Sequence, residues 1–165
     1  MRKDNLENNK IIIGSGKYKI SSVNIKKKEM LGMLEEAVAR ELKVSIRYMY
    51  QHMMFKGVKE FAINEELEEI AITEMQHLEK IGEKVIYLGG NLPTMPYEDF
   101  AIQDSFKGKM MADIKEEEDA IKLYKEIIKV ADLLGDFATK EMMMKILADE
   151  EEHHDFFISV LEESE

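Results

Sequence analysis

The sequence predicts an all-α fold, a four-helix bundle of two helical hairpins that a long crossover joins. Three observations support this prediction. Apolar residues recur at helical spacing over four long stretches. Both prolines, Pro93 and Pro96, lie in one short segment near the middle of the chain. The pattern Glu-x32-Glu-x2-His occurs twice, once in each half, beginning at Glu41 and at Glu117. A chain of 165 residues is long enough to build one domain around a sizeable core.

Four segments carry the amphipathic helical pattern, and their predicted bounds are 22 or 24 to 56, 60–88, 105–133 and 136–162. Either Ser22 or Asn24 can cap the first helix. Residues 89–104 hold both prolines and a Gly-Gly pair, so they are expected to form the crossover. A crossover of this length lets the third helix run in the same direction as the second.

The N-terminal part of the chain differs in charge from the rest. Residues 1–28 hold eight Lys/Arg against Asp4 and Glu7, whereas the whole chain has a net charge of −11. We interpret residues 1–21 as a basic N-terminal arm and residues 22–165 as the bundle domain. The arm is a poorly ordered terminus, a docking arm between subunits or a basic tail for an anionic partner. The acidic remainder discourages nucleic-acid binding and attracts cations.

The composition excludes several classes of site. The chain has no cysteine, which rules out disulfides, cysteine-ligated zinc, iron–sulfur clusters and a rubredoxin module within it. Histidine and carboxylate remain as the strong metal ligands. No apolar run approaches the roughly 20 residues of a membrane helix, and the run at 11–13 is too short for a signal core. We therefore expect a cytoplasmic protein with no membrane partner.

The motif Glu-x-x-His occurs at 74–77 and at 150–153, each time within a predicted helix. Residues three apart on a helix share a face, so each motif can present one carboxylate and one imidazole to the same ion. A rival pair, Glu151 with His154, lies one residue further along. The apolar stripe of the fourth helix keeps helical spacing with the 150–153 pair inside, and this favours that pair as the site.

The 33-residue spacing gives the motifs a geometric meaning. Residues of two antiparallel helices lie level when they are equally far from the turn, and the two turns fall at Gly57 and next to Gly135. Glycine is the usual residue where a helix ends in a left-handed cap. Each hairpin then places two carboxylates and one imidazole at one depth, and the two hairpins together gather six ligands. The six predicted ligands are Glu41, Glu74, His77, Glu117, Glu150 and His153.

A purely structural explanation has to account for one inward-facing Glu in each helix. Four carboxylates buried without counter-charge cost many kcal/mol or become protonated, whereas two bridged divalent cations remove that cost. Coincidental placement of surface glutamates is the alternative. Tyr48 lies on the stripe of Glu41, where it can bond a ligand carboxylate, donate an electron or simply fill the core. His52 is interpreted as a satisfied core or interface histidine.

With these residues placed, the sequence resembles the bacterioferritins, within the ferritin-like di-iron superfamily, over about residues 25–160. The motifs that carry the resemblance are Glu41-Leu42 followed by Tyr48, Glu74-Met75-Gln76-His77, Leu88-Gly89-Gly90-Asn91-Leu92-Pro93, Glu117 and Met142-Met143 leading to Asp149-Glu150-Glu151-Glu152-His153. The resemblance implies a ferritin-like four-helix bundle.

The resemblance also implies two iron ions per subunit and a role for each ligand. One iron would have Glu41 and His77 as its terminal ligands, and the other would have Glu117 and His153. The two irons would be bridged by Glu74 and Glu150. Tyr48 matches a tyrosine beside the family's site and is grouped with the catalytic residues. Met75 matches the methionine that is an axial ligand to haem between two subunits. An exposed methionine at an oligomer contact is the other interpretation of Met75.

Both ends of the chain depart from the bacterioferritin pattern. Residues 1–21 are additional, and the sequence ends twelve residues after His153, where bacterioferritins continue into a fifth helix of a 24-subunit shell. These features look more like the Dps-like proteins, which form twelve-subunit shells. We therefore expect a homo-oligomeric shell, with twelve subunits favoured over 24.

The function that the resemblance implies is a ferroxidase and an iron-storage or detoxification protein. It would oxidise Fe²⁺ to Fe³⁺ with O₂ or H₂O₂ at the di-iron site. Two alternatives remain open from the sequence. One is a rubrerythrin-like di-iron enzyme that reduces peroxide with an external reductant. The other is a Dps-like protein that protects DNA by coating it with the basic residues 1–28.

Overall fold

The computed structural model describes the backbone of residues 20–164 and the side chains of residues 23–58 and 60–164. The described part of the chain folds into five α-helices: α1 Ile20–Met54, α2 Val58–Ala62, α3 Asn64–Tyr87, α4 Phe106–Leu134 and α5 Phe137–Glu163. The long helices pair as α1 with α3 and α4 with α5, and α1 also packs on α4. The predicted all-α bundle of two hairpins is therefore confirmed. Within residues 20–164, the helices are too short or too polar to cross a membrane.

The start of α1 corrects one prediction. Ile20, the first described residue, is already helical, so Ser22 and Asn24 lie inside α1 and do not cap it. The segment from Ile20 to Lys28 contains neither glycine nor proline, and nothing in it interrupts helical hydrogen bonding. Residues 20 and 21 of the predicted arm thus belong to the first helix. The remainder of that arm, residues 1–19, lies outside the described residues.

The first hairpin turn also differs from its prediction. The second helix is not continuous, because Ile63 (φ −112°, ψ 2°) separates the short α2 from α3. Gly57 does not form a left-handed cap but begins α2 in an extended conformation, with φ −86° and ψ 160°. Oε2 of Glu60 accepts hydrogen bonds of 3.0 Å from the backbone N–H groups of Lys56 and Gly57. The carboxylate at the third position of α2 thus satisfies two backbone donors that directly precede the helix, as the glutamate of a capping box does.

The second hairpin turn follows the prediction. Gly135 ends α4 with φ 69°, in the left-handed region that glycine tolerates. Its N–H bonds to the carbonyl of Asp132 and the N–H of Asp136 to the carbonyl of Ala131, which is the Schellman arrangement. Asp136 then caps α5 by accepting a 3.0 Å hydrogen bond from the N–H of Thr139. The turn is short and tightly specified.

The core consists of two apolar clusters, one on each side of the middle of the bundle. The first cluster is built on Met30, Leu34, Val38, Ile81, Val85, Tyr124, Ile127, Met143 and Ile146. The second cluster is built on Val44, Tyr48, Leu67, Ile70, Met110 and Phe157. Each fully buried large apolar side chain contributes about 1.5–3 kcal/mol. Every long helix contributes to both clusters, so its middle residues are held at the layer between them.

The crossover runs back along α1. Gly89 turns the chain after α3 with φ 82°. The N–H of Asn91 then donates to Oε1 of Glu35 at 3.0 Å, and the N–H of Tyr97 donates to the carbonyl of Ala39 at 3.0 Å. Both α3 and α4 pass from the second cluster to the first, so they run in the same direction, as the length of the crossover predicted.

Candidate metal centre

The layer between the two apolar clusters is built from charged side chains. All six predicted ligands lie in it, with exposed fractions of 1% for Glu41, 0% for Glu74, 0% for His77, 1% for Glu117, 1% for Glu150 and 8% for His153. Helices α1 and α4 contribute one Glu each, while α3 and α5 contribute a Glu-x-x-His motif each. The three-residue spacing turns the Glu and His of each motif to the same side of the helix.

The ligand atoms of these side chains form two overlapping groups. Within each group all the ligand atoms lie within 4.8 Å of one another. One group is Glu41, Glu74, His77 and Glu150, and the other is Glu74, Glu117, Glu150 and His153. Two residues, Glu74 and Glu150, belong to both groups. The structure thus brings the six predicted residues together as two adjacent sets that share two carboxylates.

Both imidazoles turn the same ring nitrogen towards the carboxylates. Nδ1 of His77 lies 3.0 Å from Oε2 of Glu74 and 3.0 Å from Oε1 of Glu150. Nδ1 of His153 lies 2.9 Å from Oε1 of Glu74. The other nitrogen of His77, Nε2, lies 2.9 Å from Oδ2 of Asp149. With Nε2–H donated to Asp149, the Nδ1 lone pair of His77 is available to a cation.

Asp149 is a residue of this layer that the sequence reasoning missed. Its side chain is 44% exposed, and its carboxylate reaches the centre at Nε2 of His77. The signal for it was its place directly before Glu150. Thr73 occupies the same place in the first motif, but its hydroxyl donates to the carbonyl of Glu69 on its own helix. The two halves of the centre therefore differ in how their imidazoles are supported.

Two buried tyrosines donate hydrogen bonds to the centre. The hydroxyl of Tyr48 on α1 donates to Oε1 of Glu117 on α4, as one interpretation of the sequence anticipated. The hydroxyl of Tyr124 on α4 donates to Oε1 of Glu41 on α1. No role was assigned to Tyr124 from the sequence alone. Each tyrosine follows the glutamate of its own helix by seven residues, and this second repeat was the signal for it.

Burial and crowding set the protonation of the carboxylates. Burial first, and then neighbouring carboxylates, raise the pKa values of Glu41, Glu117 and Glu150 well above the ordinary value. Burial also acts to raise the pKa of Glu74, but contacts with His153 and His77 outweigh it and lower that pKa to about 2. The metal-free cluster therefore retains protons. Divalent cations would displace them, because metal ligands bind in their deprotonated forms.

Several buried donor atoms of the layer are unpaired, which tests whether cations fit it. Oε2 of Glu41 has no hydrogen-bond partner among the described residues. Three further atoms, Oε1 of Glu74, Oε1 of Glu150 and Nδ1 of His153, also make no hydrogen bond there, although each lies 2.9–3.0 Å from a neighbouring imidazole nitrogen or carboxylate oxygen. Such an atom costs about 1–3 kcal/mol when it stays unsatisfied. Carboxylate oxygen and imidazole nitrogen are ligands that divalent first-row metals accept. The donor set and its unpaired atoms fit a pair of divalent cations.

The remaining candidates from the sequence lie outside this layer. The side chain of Met75 is 47% exposed and faces away from the centre. Glu151 of the rival pair is also exposed, with 54% of its side chain accessible. Nδ1 of His52 donates to the carbonyl of Asn64 at 2.9 Å, consistent with a satisfied histidine near the first turn.

Comparison with known protein sequences identifies relatives of this chain. The sequence profile of the ferritin-like domain matches residues 31–165. The bacterioferritin of Brucella melitensis biotype 1 is 30% identical over 136 residues, which cover 81% of this chain and 83% of the relative. The bacterioferritin of Desulfovibrio desulfuricans is 28% identical over 137 residues, which cover 82% of this chain and 75% of that protein.

Solved structures show the same fold. The X-ray structure of the D. desulfuricans bacterioferritin, with its diiron site in different catalytic states, has a TM-score of 0.77 and 24% identity, covering 85% of this chain and 82% of that chain. A ferritin-like, diiron-carboxylate protein from Bacillus anthracis strain Ames also has a TM-score of 0.77, with 22% identity over 82% of this chain and 97% of that chain. The profile match and the similarity to the B. melitensis bacterioferritin show that the chain belongs to the ferritin-like family that includes the bacterioferritins.

Proposed function

We propose that this protein is a ferroxidase that oxidises Fe²⁺ to Fe³⁺ with O₂ or H₂O₂ and stores or detoxifies the product. The main support is the pair of ligand groups that share Glu74 and Glu150 at the centre of the bundle. A site of this form can hold two cations side by side. Membership of the ferritin-like family and the similarity to bacterioferritins support iron as the cation.

The ligand plan follows the one that ferritin-like di-iron carboxylate proteins share, with Glu from two helices and Glu-x-x-His from the other two. In this proposal one Fe²⁺ has Glu41 and His77 as its terminal ligands, and the other has Glu117 and His153. The two ions are bridged by Glu74 and Glu150. Four carboxylates then offset the charge of two divalent cations, which removes the cost of burying the carboxylates.

The two Fe²⁺ ions are substrate, and together they supply the two electrons that reduce O₂ to H₂O₂ or H₂O₂ to water. Hard oxygen ligands hold Fe³⁺ more tightly than Fe²⁺, so the four carboxylates favour oxidation. Burial of all six side chains keeps bulk water away from the layer. Asp149 holds the ring of His77 in the tautomer that leaves Nδ1 free. Two further donors, Tyr48 and Tyr124, hold one carboxylate each in place.

Anaerobic titration of the metal-free protein with Fe²⁺, followed by rapid mixing with O₂ or H₂O₂, tests the proposal. We expect saturation at two Fe²⁺ per chain, a fast rise of ferric absorbance and continued turnover with iron that stays in solution. Glu74→Gln removes a shared ligand at nearly constant volume and should abolish the fast phase. Glu79→Gln, an exposed position on the same helix, is the matched control. Equal rates in the Glu74 variant and the wild type would refute the site.

The same experiment separates storage from peroxide reduction. A rubrerythrin-like enzyme would bind and oxidise two Fe²⁺ per chain, prefer H₂O₂ strongly and retain no further iron. We favour storage because the profile and the curated relatives are ferritin-like and bacterioferritin-like. DNA protection by the basic residues 1–28, of which residues 1–19 lie outside those described, stays a prediction from the sequence.

We further propose that the chain assembles into a homo-oligomeric shell, with twelve subunits favoured over 24. Exposed apolar side chains on the outer face of α3, namely Ile72 at 40%, Met75 at 47% and Ile86 at 56%, offer a contact surface. Haem held between two subunits by Met75 is a second use of that face. Sedimentation analysis measures the subunit number, and the absorbance of the purified protein before and after Met75→Leu tests for haem. A cytoplasmic location also stays a prediction.

A further inference from the structure

The two buried tyrosines of the centre form a symmetric pair. Tyr48 and Tyr124 are both 0% exposed. Each lies on the helix of one terminal glutamate and donates its hydroxyl hydrogen to the glutamate of the opposite hairpin. The hydrogen bonds therefore cross between α1 and α4 in both directions. Each half of the internal repeat therefore contains a tyrosine in addition to its ligands. Tyrosine binds divalent metals poorly, but it can be oxidised.

The surroundings of Tyr124 give its hydroxyl no evident packing purpose. The ring lies in the first apolar cluster with Leu34, Ile127 and Met143, where a phenylalanine ring would fill the same space. The one polar group of the ring is aimed at a carboxylate of the proposed iron site. Tyr48 is placed equivalently and packs its ring on Phe157 with centroids 5.3 Å apart. Besides the shape of their rings, the two tyrosines share one property: each directs its O–H bond at a carboxylate oxygen.

A phenol gives up an electron most easily when a base takes its proton at the same time, because the product is then a neutral radical and not a buried cation. Once cations have displaced the carboxyl protons, Glu41 and Glu117 are such bases, and each already accepts a phenolic hydrogen. Two tyrosines so placed hold two electrons and two protons close to one site. Reduction of one H₂O₂ to water requires that number of each.

We propose that Tyr124 is a second redox-active residue which, with Tyr48, reduces at this site the H₂O₂ that arises from iron oxidation. In this step one H₂O₂ and two tyrosines give two H₂O and two neutral tyrosyl radicals. The O–O bond and both phenolic O–H bonds break, and the protons pass through the carboxylates to the peroxide oxygens. Further Fe²⁺ is the reductant that restores the pair, since each radical takes one electron from Fe²⁺ and one proton from solution.

This inference rests on the proposed ferroxidase function, because that reaction supplies both the H₂O₂ and the restoring Fe²⁺. It also predicts what happens to the H₂O₂, which the ferroxidase function alone does not. Two Fe²⁺ and two tyrosines together supply the four electrons that take O₂ to water, so peroxide does not leave the protein. A single tyrosine supplies one electron and leaves the peroxide step incomplete.

The test compares Tyr124→Phe, Tyr48→Phe and the double variant with the wild type. Tyr87→Phe, at a ring that is 81% exposed, is the control. Each protein is loaded anaerobically with two Fe²⁺ per chain and mixed with O₂. Released H₂O₂ is then measured, and samples frozen during the reaction are examined by electron paramagnetic resonance with ring-deuterated tyrosine. Binding of Co²⁺, which transfers no electrons here, is measured separately in each protein.

We expect little H₂O₂ and a tyrosyl radical signal from the wild type and from the Tyr87 control. Each single variant should release more peroxide and lose part of the signal, and the double variant should approach one H₂O₂ for every two Fe²⁺ oxidised. Co²⁺ stoichiometry should stay unchanged throughout. Tyr124→Phe with the wild-type peroxide yield and radical signal would overturn the inference and leave the ferroxidase function intact. Loss of Co²⁺ binding in Tyr124→Phe would also overturn it, in favour of a purely positioning role. A wild-type protein that does not oxidise Fe²⁺ would overturn both.

Discussion

Replacing Glu150 by glutamine is expected to stabilise the metal-free protein while it weakens metal binding. Glu150 is 1% exposed, lies among other carboxylates and has one oxygen without a hydrogen-bond partner in the described part of the chain. Burial, and then the charge of Glu74, raise its pKa well above the ordinary value of 4.5. The folded protein thus keeps a proton on Glu150 that the unfolded chain releases at neutral pH. Glutamine has a similar shape and needs no proton.

The size of the effect follows from the cost of holding that proton. While Glu150 stays protonated, each pH unit above the unfolded-state pKa of 4.5 costs about 1.4 kcal/mol, so the cost is at most about 3.5 kcal/mol at pH 7 and about 0.7 kcal/mol at pH 5. A raised folded-state pKa means that the free energy of unfolding falls as the pH rises above 4.5. These values are upper bounds for the gain in Glu150→Gln, because the substitution also changes the 3.0 Å contact between Oε1 of Glu150 and Nδ1 of His77.

Urea unfolding of the chelator-treated protein at pH 5 and pH 7 measures this gain. Glu151→Gln is the matched control, since its side chain is 54% exposed and should change stability by less than about 0.5 kcal/mol. Saturating Co²⁺ should then raise the stability of the wild type far more than that of Glu150→Gln. A variant less stable than the wild type at pH 7, or a gain that is equal at both pH values, would refute the reasoning.

Two further predictions concern the support of the centre and the hairpin turns. Asp149→Ala removes the acceptor 2.9 Å from Nε2 of His77 and should weaken Co²⁺ binding about 10-fold or more. Calorimetric titration measures this affinity, with Asp155→Ala at an exposed position as the control. Equal affinities in the two variants would contradict the role of Asp149. Gly135→Ala forces a Cβ onto a residue with φ 69° and should lower the free energy of unfolding by about 1–2 kcal/mol. Gly57→Ala, at φ −86° with only an ordinary 3.4 Å contact, should not destabilise the protein, and equal effects at the two glycines would show that backbone strain is not the cause.

Much of the fold was predictable from local patterns. Helical periodicity, one proline-rich segment and the glycine at 135 give the hairpins and the crossover, because each depends on residues that are close in sequence. The equal spacing of the Glu-x-x-His motifs from Glu41 and Glu117 predicted which side chains would meet. That prediction needed only the rule that antiparallel helices align residues equidistant from their turn.

The interruption at Ile63 was not predictable in the same way. The sequence there carries no glycine or proline, and the helical pattern continues through it. In the folded protein Ile63 packs against the second apolar cluster with a non-helical backbone. The gain from that packing depends on surfaces of other helices, which a local pattern does not contain.

Charged residues between the helices give a second example. Arg47 and Asp113 would be assigned to solvated helix faces, yet they are 3% and 0% exposed. Nε of Arg47 lies 2.7 Å from Oδ1 of Asp113, and Nε2 of Gln51 lies 2.8 Å from the same oxygen. Burial raises the pKa of Asp113 to about 6, although Arg47 acts against this. Only the docking of α1 on α4 decides that these charges are enclosed.

From the sequence alone, the six proposed ligands and their depth along each helix could be predicted. The tertiary structure decided what those residues contact. Tyr48 and Tyr124 each reach across to the opposite hairpin, and Asp149 reaches His77 on another helix. Periodicity sets the axial position of a side chain and the face it occupies. The partner of its polar atom depends on how the helices are rotated and spaced against each other, and the packing of the whole core fixes that.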